Sequence, residues 1–307
     1  MDFEVMAEGL KFPEGPVAFP DGSVVLVEVF GGRLTRCWGD GRTEVVADLG
    51  GGPNGAALGP DGAIWVCNNG GFTGPVGPDG KPQLRGISPP DYEGGRIERV
   101  DLATGRFERV FTHCGDLRLK GPNDLVFDRS GGLWFTDFGK QRANDRDFSS
   151  LHYVGAGLDQ VQMVHDRVLS YNGVGLSPDE TTAYVADTYN ARVWAYDLEG
   201  PGKAKPGEGA YAPARFLAGL PTDARFDSLA MTEAGNVCVA TLGTGGITTV
   251  TPAGETSFIG FPDPTVTNIC FGGPDRRTAF ITLSATGRLI RVRNWPEPGL
   301  ALNFSQY

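Results

Sequence analysis

Along this chain short apolar runs alternate with turn-forming Asp, Gly and Pro, and the alternation itself repeats. The unit is a polar, oxygen-bearing residue, a short apolar run, a turn, and a second run that ends in small or acidic residues. Its copies are GPVAFPDGSVVLVEV after Glu14, GAALGPDGAIWVCNN after Asn54, DLVFDRSGGLWFTDF after Asn123, GVGLSPDETTAYVADT after Asn172 and SLAMTEAGNVCVATL after Asp227. A last copy lies around TNICFGGPDRRTAFITL, where either Thr267 or Asn268 leads. In three copies the lead residue and the turn aspartate keep one spacing: Glu14 with Asp21, Asn54 with Asp61, Asn172 with Asp179.

Each copy predicts a β-hairpin, with Asp-Gly, Gly-Gly or Pro-Asp chemistry in the turn. Further strand-like runs lie between copies, such as RLTRCW then TEVVADL, and RIERVDL then GRFERVF. Four short strands in a repeat of about 40 to 50 residues is the pattern of a propeller blade. Six copies therefore predict an all-β chain, a six-bladed β-propeller forming one domain over residues 1–307. A generic sandwich of sheets leaves the recurring lead residue unexplained. Two stretches lengthen the repeat, at about 73–94, rich in Pro and Gly, and at 139–160, which is more polar. Both are read as insertions, and a lid over the channel mouth is the expected role of at least one.

Composition narrows the function. The 46 glycines and 22 prolines are spread along the chain, as short strands and tight turns require. A net charge of −10 without any basic run argues against nucleic acid as a partner. No apolar stretch approaches the roughly 20 residues that span a bilayer, and the first residues, MDFEVMAEGLKF, lack a leader pattern. The five cysteines are odd in number and show no paired spacing. Reduced, buried thiols and a cytoplasmic location are the expectation.

In a propeller the first strand of every blade lines the axis, so residues that open those strands meet at one end of a central channel. Here they are Glu14, Asn54, Asn123, Asn172, Asp227 and Thr267 or Asn268. All offer oxygen; none offers sulfur or imidazole. Two carboxylates nearly neutralise a dication, and amide carbonyls complete its shell without adding charge, which is a hard-cation environment. One divalent cation is expected as cofactor, calcium first, with magnesium, manganese, zinc or iron(II) as alternatives. His113, His152 and His165 fall in no zinc-ligand spacing. A lone Asn-Gly pair is usually just a turn, but repetition at every blade start is not explained that way.

From FPEGPVAF near the start to TNICFGGPDRRTAFIT near the end, these motifs resemble the senescence marker protein/gluconolactonase/regucalcin-like family. The resemblance implies a six-bladed propeller with a divalent cation in its channel. By position it implies Glu14, Asn123, Asn172 and Asp227 as metal ligands or close neighbours, and Asp227 as general base. Two departures stand out: Gly121 occupies a position where sugar-lactonase relatives can carry arginine, and Ser228 follows Asp227 where glycine is frequent. The second is expected to alter local backbone freedom more than ligation.

The leading expectation is a metal-dependent lactonase acting on a small cyclic ester, with a sugar lactone as the first choice of substrate. In that scheme Asn54, Asn123, Asp124 and Tyr189 contact or support the substrate, Asn172 helps orient it, and Phe72, Phe138 and Tyr189 wall the pocket. The alternatives are hydrolysis of a non-sugar lactone or phosphotriester on the same metal, or a propeller that only binds a partner.

Overall fold

A computed structural model of the chain describes residues 1–73, 87–207, 212–221 and 223–306. Among the described residues there is no helix: six antiparallel sheets around an axis make the expected six-bladed propeller, and a separate short hairpin pairs His113–Cys114 with Leu117–Arg118. Blade 1 comprises Pro13–Ala18, Val24–Glu28, Arg33–Cys37 and Thr43–Asp48. Blade 2 comprises Pro53–Leu58, Ile64–Asn68, Arg96–Val100 and Phe107–Phe111. Blade 3 follows with Pro122–Phe127, Leu133–Asp137, Ser149–Val154 and Val161–Val168. Blade 4 has Tyr171–Leu176, Thr182–Asp187, Arg192–Gly200 and Arg215–Gly219, and blade 5 has Arg225–Met231, Val237–Leu242, Gly246–Val250 and Thr256–Gly260. Blade 6 takes Val266–Gly272, Thr278–Leu283 and Arg288–Val292, and borrows its outer strand, Glu4–Ala7, from the N-terminal end.

That borrowed strand closes the ring. Glu4 accepts hydrogen bonds from Arg291 and, at 2.9 Å, from Arg293 Nε. Within a blade, burial falls from the axis outward. Val24–Glu28 and Ile64–Asn68 are buried throughout, whereas the outer strands Thr43–Asp48 and Thr256–Gly260 are mostly exposed, Val45 and Phe258 included.

The core is distributed between blades. Trp134, Tyr171 and Tyr196 fill the space between blades 3 and 4, and Phe226, Leu229 and Val239 belong to a cluster shared by blades 4 and 5. Each large buried side chain of this kind contributes about 1.5–3 kcal/mol. Because these clusters lie between sheets, the axis itself is left open. The five cysteines are all free, four of them buried and Cys114 half-buried.

The two stretches read as insertions fare differently. Residues 74–86 of the first, one of the two candidates for the expected lid, lie outside the described residues. In the second, Ser149–Val154 is the third strand of blade 3, so the addition is confined to the loop before it. Its length and polarity disguised a strand that alternates Ser, Leu, His and Tyr. Among the described residues no helix is long and apolar enough to cross a membrane.

Candidate functional site

The six inner strands share one irregularity. Each carries a register shift near its start: after Glu14, Pro53, Pro122, Tyr171, Phe226 and Val266. A bulge adds one residue to a strand and re-aims its side chains. In every blade the shift falls at the lead residue, so the sequence repeat and the backbone repeat coincide. The pairing also resolves the last copy. Val266 pairs Leu283 as Pro53 pairs Asn68, which makes Thr267 the lead residue by position and Asn268 the one after it.

The residue after the lead decides how closely blades approach. A β-carbon at Gly55 would sit 2.6 Å from the Asn123 carbonyl oxygen, and one at Gly15 would sit 2.6 Å from the Asn54 oxygen. Gly15 also has φ of +51°, a conformation that side chains disfavour. One at Gly173 would come nearly as close to the Asp227 carbonyl oxygen, at 2.8 Å. These three glycines let backbone rest on backbone between blades 1 and 2, 2 and 3, and 4 and 5, while Asp124, Ser228 and Asn268 hold the place in the other blades. Glu14, Asn54, Asn123, Asn172 and Asp227 are thereby gathered at one end of the channel, all buried.

Hydrogen bonds tie this ring from blade to blade. Glu14 Oε2 accepts from the Gly15 amide and from Asn268 Nδ2, both at 2.8 Å. Asn54 Nδ2 donates to the Asn123 carbonyl at 3.3 Å, and its Oδ1 accepts from Asn69 Nδ2 at 3.5 Å. Ser228 Oγ donates to Asn172 Oδ1 at 3.4 Å. Thr267 has left the ring: its hydroxyl donates to the Pro13 carbonyl at 3.2 Å and contacts Thr282 and Ser284. The Ser228 departure thus shows in a side-chain bond to Asn172 rather than in the backbone, since Ser228 is not among the positive-φ residues.

The electrostatics mark the ring as a place short of positive charge. Burial pushes the Glu14 carboxyl well above its usual range, the Asp227 charge adds to this, and hydrogen bonds from Asn268 and Gly15 oppose it. Asp227 is pushed up to about 7 by burial, with the Asn172 amide pulling down and the Asp124 charge pushing up. Burial likewise pushes Asp124 up to about 7, against hydrogen bonds from the Leu125 amide and Ser228. Mutual repulsion of this kind requires the three carboxyls to share one neighbourhood.

A hard cation fits these residues. The Asn123 Oδ1 is buried without a hydrogen-bond partner, an oxygen lone pair left for something else to use. Glu14 and Asp227 supply two charges, and Asn123 and Asn172 supply amide oxygens, a donor set with no sulfur or imidazole. Among the described residues no three His, Cys, Asp and Glu side chains form a metal-binding group. A cation held here would draw on amide oxygens where other sites use a third carboxylate.

Around the mouth the structure places the aromatics expected from sequence, together with groups that were not. Phe138 and Tyr189 are half-buried, their rings 5.8 Å apart. Phe72 lies under the ammonium of Lys140 at 4.0 Å. Lys140 is 1% exposed and donates to the carbonyls of Asn69 at 2.9 Å and Gly71 at 2.6 Å. Asn69 in turn touches Asn54. Asp124 is buried beside the ring carboxyls and, with Gly15 and Asn268, lines a cavity in the channel. Nothing in the repeat flags Asn69 or Lys140, because neither occupies a lead position; the Asn-Asn pair at 68–69 is the sole hint.

Sequence comparison agrees with the fold. The profile of the SMP-30/gluconolactonase/LRE-like region matches residues 12–285. A gluconolactonase of Zymomonas mobilis is 28% identical over 319 residues, covering 94% of this chain and 80% of the relative. Lactonase drp35 of Staphylococcus haemolyticus is 30% identical over 217 residues, covering 69% of this chain and 59% of the relative. A solved structure of a calcium-binding regucalcin from Agrobacterium tumefaciens superposes with a TM-score of 0.73 at 20% identity, covering 98% of both chains. With the profile spanning nearly all six bulged inner strands that build the ring, this chain belongs to the SMP-30/gluconolactonase/LRE-like family.

Proposed function

We propose that the chain is a metal-dependent lactonase whose centre is the ring of lead residues. The observation that carries this reading is the orphaned Asn123 Oδ1, buried in one ring with Glu14, Asn172 and Asp227. Lactonase activity in the Zymomonas and Staphylococcus relatives supports the reaction class. Glu14, Asn123, Asn172 and Asp227 would hold the cation, with calcium the first choice among hard dications, as in the regucalcin neighbour.

When bound, the dication supplies Lewis-acid polarisation of the ester carbonyl and offsets the ring's negative charge. The chain's own groups do the rest. Asn54, held between Asn69 and the Asn123 carbonyl, presents its amide to substrate oxygens. Asp227 takes a proton from water as the water oxygen bonds to the acyl carbon. The acyl–oxygen bond then breaks, and the ring oxygen leaves as a hydroxyl after gaining a proton, which gives an open-chain hydroxy acid. A cation held by Glu14, Asn123, Asn172 and Asp227 would favour the ionised Asp227 carboxylate, the form that accepts a proton. Phe138 and Tyr189 shield the mouth and limit competing water.

Chelation followed by calcium titration tests the reading with two readouts. Stripped protein should lose hydrolysis of aldonolactones and regain it on titration. Calcium should raise Tm in the wild type and not in Glu14→Gln. Full activity after stripping, or an equal Tm rise in both proteins, would overturn the proposal. A parallel panel of aryl lactones and phosphotriesters separates the substrate classes.

A further inference from the structure

The channel mouth carries two guanidinium groups that the proposed hydrolysis does not use. Arg146 and Arg225 each lie 4.7 Å from the centre of the Tyr189 ring. Arg146 is half-buried and fixed: its Nη2 donates to the Phe138 carbonyl at 3.1 Å and its Nε to the Asp147 carbonyl at 3.2 Å. Arg225 is exposed, and among the described residues no hydrogen bond or ion pair engages its guanidinium. Elsewhere in this acidic protein the surface arginines mostly face carboxylates, as Arg36 does Asp21, Arg99 does Asp61 and Arg293 does Glu4.

Position gives Arg225 its meaning. It opens the inner strand of blade 5, two residues before Asp227. Arg225 is the exposed residue at that end of the strand and Asp227 the buried one, so the guanidinium lies at the rim, two residues along the chain from the ring carboxyl. Gly121 holds the matching place in blade 3, two residues before Asn123, and there the positive charge comes from Arg146 of the following loop. A cation–π contact with Tyr189 steadies the Arg225 guanidinium without using its N–H donors, which arginine can offer to a carboxylate as two parallel bonds. Arg146 and Arg225 bring two positive charges to the rim outside the ring carboxyls, where the buried Lys140 is already engaged by the Asn69 and Gly71 carbonyls.

We infer that Arg225, steadied on Tyr189 beside Arg146, selects lactones that carry a second, anionic group away from the ester. This rests on the lactonase reading above and narrows its substrate class. The test uses two six-carbon lactones that differ at the far carbon, one neutral with a hydroxymethyl group and one with a carboxylate. The wild type should prefer the carboxylate form, and added salt should erode that preference, since screening at 1 M confines charge effects to about 3 Å.

Arg225→Gln should lower the ratio of kcat/KM, carboxylate over neutral, by about tenfold, mostly through KM, as expected for a lost charge-assisted bond. Arg225→Lys should restore part of the ratio and of its salt dependence. An unchanged ratio in Arg225→Gln overturns the inference. So does a wild type that opens only the neutral lactone, although the lactonase reading then stands. Hydrolysis of neither lactone overturns that reading, and the inference with it.

Discussion

The two ends of the channel are built from the same six strands and could hardly differ more. At one end the strands begin with Glu14, Asn54, Asn123, Asn172 and Asp227, and they carry a bulge. At the other they continue as regular strands into Val17, Leu58, Phe127, Leu176 and Met231, which line a cavity of about 260 Å³. The C-terminal segment crosses that end. Leu300 N donates to the Met231 carbonyl, Asn303 Nδ2 donates to the Phe127 carbonyl and to Glu180, and Phe304 packs edge-on against Phe127. One end is a polar ring aimed at the axis; the other mixes apolar strand residues with Arg129, Glu180 and Arg276, and the C-terminal segment lies across it. The bulge marks the boundary: regular pleating resumes where it ends, and with it ordinary packing.

The largest expected effect breaks the polar end alone. Asp227→Asn removes the proposed base and one of two ring charges, and should lower kcat by at least about a thousandfold, roughly 4 kcal/mol. Because it also relieves repulsion with Glu14, the variant should keep or gain Tm in the absence of metal. Measured together, kcat and apo Tm check both halves.

Next comes the boundary. Gly55→Ala drives a methyl group against the Asn123 carbonyl, and overpacking of that kind costs about 1–3 kcal/mol or more. Urea denaturation should show the loss, and activity should fall with it because Asn123 shifts. A stable, active Gly55→Ala would mean the ring tolerates blade movement.

The covered end should answer differently. Phe304→Ala trims one edge-to-face contact at the cover and should cost about 1 kcal/mol of stability while leaving kcat within twofold. A large kcat loss there would show that the two ends are coupled along the channel.

The smallest effect lies at the ring closure. Arg293 and Arg291 hold the Glu4 carboxyl down to about 2. A depressed carboxyl stabilises the fold above its unfolded value near 4.5, and that contribution is lost as pH falls from there through about 2. Wild type and Glu4→Gln should therefore differ slightly in Tm at pH 6 and converge by pH 2. Glu4 is fully exposed, so salt should shrink the difference.

Lead residues were legible in the sequence because a repeated fold writes a functional position several times over. Asn54 alone reads as a turn; beside Asn123, Asn172 and Asp227 it reads as a ring member. Groups that enter the site once had no such amplification. Asn268 binds Glu14, but only strand pairing shows that Thr267 takes the lead place and turns its hydroxyl to Pro13. Asn69 and Lys140 come from loops whose spacing follows no repeat. The strand at 149–154 was hidden by a polar run that reads like a loop.

The sequence by itself determined the number of blades, their hairpins and the chemistry of the axis, because period, turn residues and side-chain type are local properties that survive without coordinates. Only the tertiary structure decided which neighbours complete the ring, which end of the channel is covered, and that Glu4–Ala7 closes blade 6. Those outcomes depend on contacts between residues as far apart as Glu4 and Arg293, or Asn54 and Asn123. No local pattern encodes such distances; they are fixed when blades pack and the buried polar groups find their partners.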